Sequence, residues 1–251
     1  MIGAHTCTDR RPKISMVIPA YNEERYLGGT LESVHRAIEV YRQRYGYPVE
    51  VIVVNNNSSD RTEEVARAYG AQVVFEAHNQ ISAARNAGAK AAQGEILAFL
   101  DADDHLSPDF LVRIEETMAS GEYIGGGASI RWDKHSAWVA LFNHLGNCLR
   151  RLLGVSNALP FTSRAAYEKV GGFDERYYAG EDMKFAADLK KLGKQMGQQF
   201  HVVTDGYVLK SARKFDRYGG MVVMLGFVLF LVNPWLVRSK RACFFWYSDN
   251  K

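Results

Sequence analysis

Cysteine is scarce in this chain: three in 251 residues, Cys7, Cys148 and Cys243, odd in number, far apart and never in C-x-x-C spacing. Neither a disulfide framework nor a zinc site is suggested, and a reducing compartment fits. An excess of charge of one sign is missing too. Lys and Arg number 31 against 28 Asp and Glu, and a formal net charge of +3 is too small to point to a nucleic-acid partner. The opening MIGAHTCTDRRPK has no apolar core of signal-peptide length, so no export signal is expected and a cytoplasmic location is the expectation. There is no internal repeat and no low-complexity tract. No G-x-G-x-x-G follows the first apolar run, where PAYNEE stands instead, which excludes a dehydrogenase-type dinucleotide fingerprint.

What is present is an apolar content of 47%, ordinary for a packed core, in a length that suits one compact body. Ile14 to Pro19 reads as a buried strand, and Leu27, Leu31, Val34, Ile38 and Tyr41 recur at helical spacing after it. Val49 to Val54, Ala71 to Phe75 and Ile96 to Leu100 are further strands. Between them lie DRTEEVARAYG, with Asp60 as N-cap and Gly70 as stop, and the small-residue helix ISAARNAGAKAAQ. Four strands alternating with helices in the first hundred residues argue for a mostly parallel sheet covered on both faces. The second half is less regular. It holds a helix with Leu111, Ile114 and Met118 inward, a glycine-rich turn at GEYIGGGASI, an apolar segment from Trp138 to Val155, and a late strand at Phe200 to Val203.

The fourth strand ends in EILAFLDADDHLSPDF, where Asp101, Asp103 and Asp104 crowd the edge before a helix expected to start at Ser107 and Pro108. In open α/β sheets that edge is where ligands bind. Clustered carboxylates need a cation, a proton or ample water, and a solvated turn capping the next helix satisfies the same residues. A second acidic pair, Glu181 and Asp182, opens a helix on which Phe185, Leu189 and Leu192 share a face; the helix dipole alone accounts for negative charge there.

Five stretches together resemble the family 2 glycosyltransferases: VIPAYNEE from Val17, VIVVNNNSSDRT from Val51, ARNAGAKAAQGEILAFLDADD from Ala84, VGGFDE from Val170 and AGED from Ala179. The resemblance implies a GT-A fold, with a Rossmann-like nucleotide-binding half, and transfer of a sugar from a nucleotide diphosphate donor with inversion. It places the glycosyltransferase domain at 13–205, with nucleotide-sugar-binding and acceptor halves at 13–104 and 105–205, and leaves 206–251 as a basic and apolar C-terminal segment. A diphosphate leaving group concentrates negative charge that a divalent cation on carboxylates can stabilise. By resemblance Asp103 coordinates Mg2+ or Mn2+, and Asp101 shares in the metal site and lies near the ribose. Pro19, Ala20, Tyr21 and Glu23 would hold the nucleoside, and Arg85, a lone guanidinium in a small-residue helix, would reach the nucleotide. Arg213, in the cationic cluster with Lys210 and Lys214, would clamp the diphosphate.

Where many relatives carry an aspartate that accepts the base's N–H, this chain has Asn55, whose amide both accepts and donates. A uridine diphosphate sugar is the expected donor, with guanosine and thymidine diphosphates open. Inversion needs a base on the acceptor hydroxyl. Asp182 matches the family's catalytic carboxylate, with Glu181 beside it, and Gly171 and Gly172 would let their loop pass close to the acceptor or diphosphate. A sugar nucleotidyltransferase would need an early glycine-rich, basic triphosphate loop that is missing. The remaining alternative is a degenerate relative acting as a nucleotide-sugar-binding or scaffold subunit, which Asn55 favours and the intact D-A-D and E-D pairs oppose. The acceptor, a glycan, a lipid-linked or a small molecule, carries no readable motif.

Tyr218 to Val237 is a run of twenty uncharged residues flanked by Arg213, Lys214 and Arg217 on one side and Arg238, Lys240 and Arg241 on the other. As one helix it would reach about 30 Å, enough to cross a bilayer core. Cations at both ends and Pro234 near the second suit an interfacial helix or hairpin better, so docking on the cytoplasmic membrane face is the expectation, with a buried core helix as the alternative.

Overall fold

The computed structural model describes residues 11–154, 156, 158–243 and 247. Cys7, most of the leading MIGAHTCTDRRPK stretch and Val155 lie outside them. β1 (Ile14–Ala20) is buried almost throughout and alternates its side chains between two cores. Ile14, Met16 and Ile18 face the first core with Leu31 and Val34 of α1 (Leu27–Tyr45), whereas Val17 faces the second. That period of two is what a strand covered on both faces produces. β2 (Val49–Asn55), α2 (Thr62–Ala68), β3 (Gln72–Phe75), α3 (Ile81–Ala91) and β4 (Ile96–Phe99) complete the expected alternation. β1 pairs in parallel with both β2 and β4, and β2 pairs in parallel with β3. α3 lies close on the sheet because Gly88 has no side chain: a Cβ there would stand 2.4 Å from Val17 Cγ1. Asp60, expected as the N-cap of α2, stands one residue ahead of it: Arg61 occupies the cap without a side-chain cap bond, and Asp60 accepts from the Thr62 N–H at 3.0 Å.

The second half corrects the sequence reading in several places. A two-residue strand, β5 (His105–Leu106), intervenes before α4 (Phe110–Ala119), so the helix starts later than Ser107 and Pro108 suggest. The expected glycine-rich turn is instead β6 (Tyr123–Trp132), a ten-residue strand inside the sheet. Its glycines mark crowding: a Cβ on Gly125 would meet the Phe161 carbonyl oxygen at 2.4 Å, and one on Gly126 the His201 carbonyl oxygen at 2.5 Å.

α5 (Ala137–Leu153), β7 (Phe161–Ser163), α6 (Arg164–Val170), α7 (Glu181–Met196) and β8 (Gln199–Lys210) follow. The sheet order is β3-β2-β1-β4-β7-β6-β8-β5, with β7 antiparallel to β4 and β6, and β6 parallel to β8. β8 continues through Lys210, so the boundary expected at 205 falls inside a strand. After it come α8 (Arg213–Tyr218), α9 (Gly220–Val232) and a 3-10 turn at Pro234–Arg238. The uncharged run is therefore not one helix. Gly219, at φ 79° and ψ 145°, interrupts it at the front, and Pro234, which lacks an N–H, ends it at the back. Among the described residues no helix is long and apolar enough to cross a membrane.

Candidate active site

The carboxyl ends of β1 and β4, the first turn of α7, the end of β8 and the start of α8 surround one cavity of about 390 Å³. Pro19, Ala20, Tyr21 and Glu23 enter it from β1 and the loop after it. Asp101, Asp103 and Asp104 come from the end of β4, Glu181 and Asp182 from α7, and Lys210, Arg213 and Lys214 from the last strand and α8. Six carboxylates and four cations, Arg85 included, thus line a single space.

Eight of them form two chains of ion pairs. Arg85 donates to Glu181 Oε1 at 2.7 Å and to Asp101 Oδ1 at 2.8 Å, joining the end of β4 to the start of α7. Lys210 Nζ continues from Asp101 (3.0 Å) to Asp104 (2.7 Å). Arg213 donates to Glu23 at 2.8 Å and makes an ion pair through Nε with Asp103, also at 2.8 Å, with its guanidinium 4.6 Å from the centre of the Tyr26 ring.

Burial would raise the Asp101 carboxyl, but Lys210 and Arg85 outweigh it and hold the group well below the usual carboxylate range. Burial wins at three others. Asp104 is pushed up to about 7 despite Lys210, and Glu23 up to about 7 despite Arg213. Asp182 is pushed up to about 7 by burial and then by the charge of Glu181, with Arg85 opposing. Burial also lowers the Lys214 ammonium, against the pull of Asp103 and Asp101.

The loop before α7 is held by α3. Asn86 accepts from the Phe173 N–H at 2.9 Å and from the Tyr167 hydroxyl at 2.7 Å, and donates to the Phe173 carbonyl at 2.9 Å. Gln80 donates to the Tyr177 carbonyl at 3.1 Å. On the other side, the N–H groups of Tyr178 and Ala179 donate to the Val237 carbonyl at 2.7 and 3.2 Å, so the 3-10 turn pins the backbone just ahead of Glu181. Gly180, at φ 69°, makes the corner that starts the helix.

Not every residue singled out from the sequence faces the cavity. Asn55 lies behind it: its amide donates to Glu63 at 3.0 Å and accepts from the Ser58 N–H at 2.9 Å, and its neighbour Asn56 lines the space instead. Gly172 abuts Tyr167 and Asn86, with a Cβ there 2.7 Å from the Tyr167 hydroxyl, and neither it nor Gly171 lines the cavity. Arg85 lines it, yet its residue is only 3% exposed and two of its nitrogens are committed to Glu181 and Asp101. Asn86 and Gln80 escaped the sequence reading, because nothing local marks a side chain whose partners lie about ninety residues away. The apolar end of the cavity, lined by Trp132, Phe142, Phe215, Val223, Phe227 and Phe230, was also missed; its signal was the uncharged run itself.

Residues 15–169, more than half of the chain, match the sequence model of the family described as Glycosyl transferase family 2. The chain is 32% identical over 111 residues to the putative glycosyltransferase EpsH of Bacillus subtilis, a stretch covering 42% of this chain and 30% of EpsH. It is 28% identical over 190 residues to the glycosyltransferase AglE of Haloferax volcanii, covering 70% of this chain and 60% of AglE. It therefore spans less than two thirds of the length of either relative. Among solved structures, TarS of S. aureus (residues 1-349) superposes with a TM-score of 0.61 at 19% identity, covering 83% of this chain and 63% of that one. Glucosyl-3-phosphoglycerate synthase of Mycobacterium tuberculosis, in complex with Mn2+ and uridine-diphosphate-glucose, superposes with a TM-score of 0.60 at 24% identity, covering 87% and 78%. With the sheet order, the acidic edge of β4 and the E-D start of α7 in place, the chain belongs to glycosyl transferase family 2 and has the GT-A fold of its structural neighbours.

Proposed function

We propose that this chain transfers a sugar from a nucleoside diphosphate sugar, a uridine diphosphate sugar in the first instance, to an acceptor hydroxyl with inversion at the anomeric carbon. The observation that carries the reading is the single cavity in which the β4 acids, the Glu181–Asp182 pair and four cations meet. Pro19, Ala20 and Tyr21 offer the nucleoside a backbone edge and a ring at the end of β1. Lys210, Arg213 and Lys214 would meet the negative charge that grows on the departing diphosphate, Lys210 and Arg213 being already oriented by their own carboxylates.

Asp182 acts as the base. The acceptor oxygen forms the new bond to the anomeric carbon, its proton passes to Asp182, and the nucleoside diphosphate departs with the electron pair of the broken bond. A carboxyl raised to about 7 suits this task, because it is ionised near neutrality yet holds a proton well. Arg85 positions Glu181 and Asp101 across the cavity.

The donor set also fits a divalent cation. Among the described residues no three His, Cys, Asp or Glu side chains form a ready metal cage. Mg2+ and Mn2+, however, are commonly held by one or two carboxylates with substrate phosphates completing the shell, and carboxylates outnumber cations in the cavity by six to four. Asp103 and Asp101 would hold the ion, which when bound would neutralise the diphosphate oxygens. The solved mannosyltransferase PcManGT from Pyrobaculum calidifontis, in complex with GDP-Man and Mn2+, and the synthase with Mn2+ and UDP-Glc support this choice of cofactor.

The test is release of nucleoside diphosphate from a panel of nucleotide sugars with manganese. Wild-type protein should turn over at least one, and Asp182→Asn should lower that rate about a hundredfold or more while keeping nucleotide affinity within about twofold. Near-normal turnover in the variant would move the base elsewhere.

A further inference from the structure

The cavity lining is of two kinds. One part is charged and includes Asp182, Arg213 and Lys214. The other is an apolar wall of Trp132, Phe142 and Phe215, with Val223, Phe227 and Phe230 from one face of α9. The aromatic wall is packed: Phe142 lies 5.4 Å from Phe215 and 5.1 Å from Phe227, centroid to centroid. The base of a nucleotide sugar, its one part that stacks on rings, is provided for by Pro19, Ala20 and Tyr21 at the end of β1, which leaves this wall to the second substrate.

The opposite face of α9 is apolar as well and faces outward: Met221, Leu225, Val228, Leu229 and Val232 are exposed, Val232 at 78%. Leu141 and Leu145 of α5, the helix in contact with α9, are exposed too. A helix apolar all round is ordinarily either buried in a core or immersed in lipid. At 13 residues α9 is about 20 Å long, too short for a hydrocarbon core of about 30 Å. It can lie in the interface, where Trp235 (73% exposed) sits at its end and Arg217, Arg238, Lys240 and Arg241 bracket it with the charge that anionic headgroups attract.

We propose that the acceptor is a membrane lipid with a hydroxyl-bearing head, and that its chain enters between α5 and α9 while the protein rests on the bilayer by the outer face of α9. This rests on the reading of Asp182 as a base, which also makes the head a hydroxyl: an acceptor phosphate is already ionised and needs no proton removed. The hydroxyl oxygen bonds to the anomeric carbon, Asp182 takes its proton and the nucleoside diphosphate leaves, giving a glycosylated lipid that stays in the membrane.

Two measurements on the full chain test this. Full-length protein should sediment with vesicles of phosphatidylcholine and phosphatidylglycerol, and protein that stays in the supernatant overturns the proposal. A long-chain alcohol bearing a diazirine should, on photolysis, label the α5 and α9 segments, with labelling lost to competition by the unlabelled alcohol. Phe227→Glu should reduce labelling about tenfold or more, because an ionised carboxylate floods the groove with water. Labelling scattered over the surface, or undiminished by the competitor, also overturns the proposal, whether or not the variant folds. Nucleoside diphosphate binding by calorimetry reads the donor half separately. Labelled groove with no nucleotide binding contradicts the transferase reading, and nucleotide binding with no competed label contradicts only the lipid acceptor.

Discussion

Arg85 is the sharpest test of how the site is held together. Its side chain is 4% exposed and Glu181's 7%, so replacing Arg85 with Met leaves Glu181 as a buried carboxylate without its cation. Breaking such a pair by removing one partner costs about 3–5 kcal/mol. Asp101 keeps Lys210 beside it at 3.0 Å and so adds little to that cost. For a domain of this size each kcal/mol moves the melting temperature by about 2–4 °C, so Arg85→Met should melt about 6–20 °C lower. The double variant Arg85→Met with Glu181→Leu should recover at least half of the loss, since an apolar pair can replace a buried ion pair at little cost. The assay is thermal unfolding followed by circular dichroism at neutral pH. A single variant within about 2 °C of wild type, or a double variant no better than the single, would refute the argument that this ion pair ties α3 to α7.

Turnover should rise with pH and reach half its plateau near pH 7, because only ionised Asp182 accepts a proton and burial beside Glu181 holds its carboxyl at about 7. Activity is thus lost as pH falls through that value, and a profile flat from about pH 6 to pH 8 would contradict the assignment. Gly126→Ala should destabilise the protein by about 1–3 kcal/mol or more in urea unfolding, since the added Cβ would stand 2.5 Å from the His201 carbonyl and 2.6 Å from the Phe161 ring. Unchanged stability would mean that β6 is not held as tightly as described.

The parts of the fold that were legible are those written in local pattern. Ile14 to Ala20, Val49 to Asn55 and Ile96 to Phe99 are apolar runs of strand length, and their helices carry their own spacing and stops, such as Gly70. β6 was misread because Gly125 and Gly126 are small for a tertiary reason, the approach of Phe161 and His201, and a run of glycines has no local feature to separate that from a turn. β5, two residues long, exists only by pairing with β8. In the site, Asp101, Asp103, Glu181 and Asp182 stood at element edges that the sequence marks, and the cavity gathers all four. Asn55 was placed by motif position alone, which does not reveal that Glu63 and Ser58 engage its amide. Arg85 stood out as a lone guanidinium among alanines, but its partner Glu181 is 96 residues away and invisible to any local window. The C-terminal run was visible as apolar, and Pro234 as a break; that one face of α9 walls the cavity depends on where α5 packs.

The decisive property of this cavity is whether it holds a nucleoside diphosphate through a cation on Asp103. Titration of uridine diphosphate into the full chain by calorimetry, with and without manganese, measures it directly. Binding should require manganese, and Asp103→Ala should abolish it while leaving the protein folded by circular dichroism. No manganese-linked binding of uridine, guanosine or thymidine diphosphate to the wild-type chain, or manganese-linked binding retained in Asp103→Ala, would contradict it.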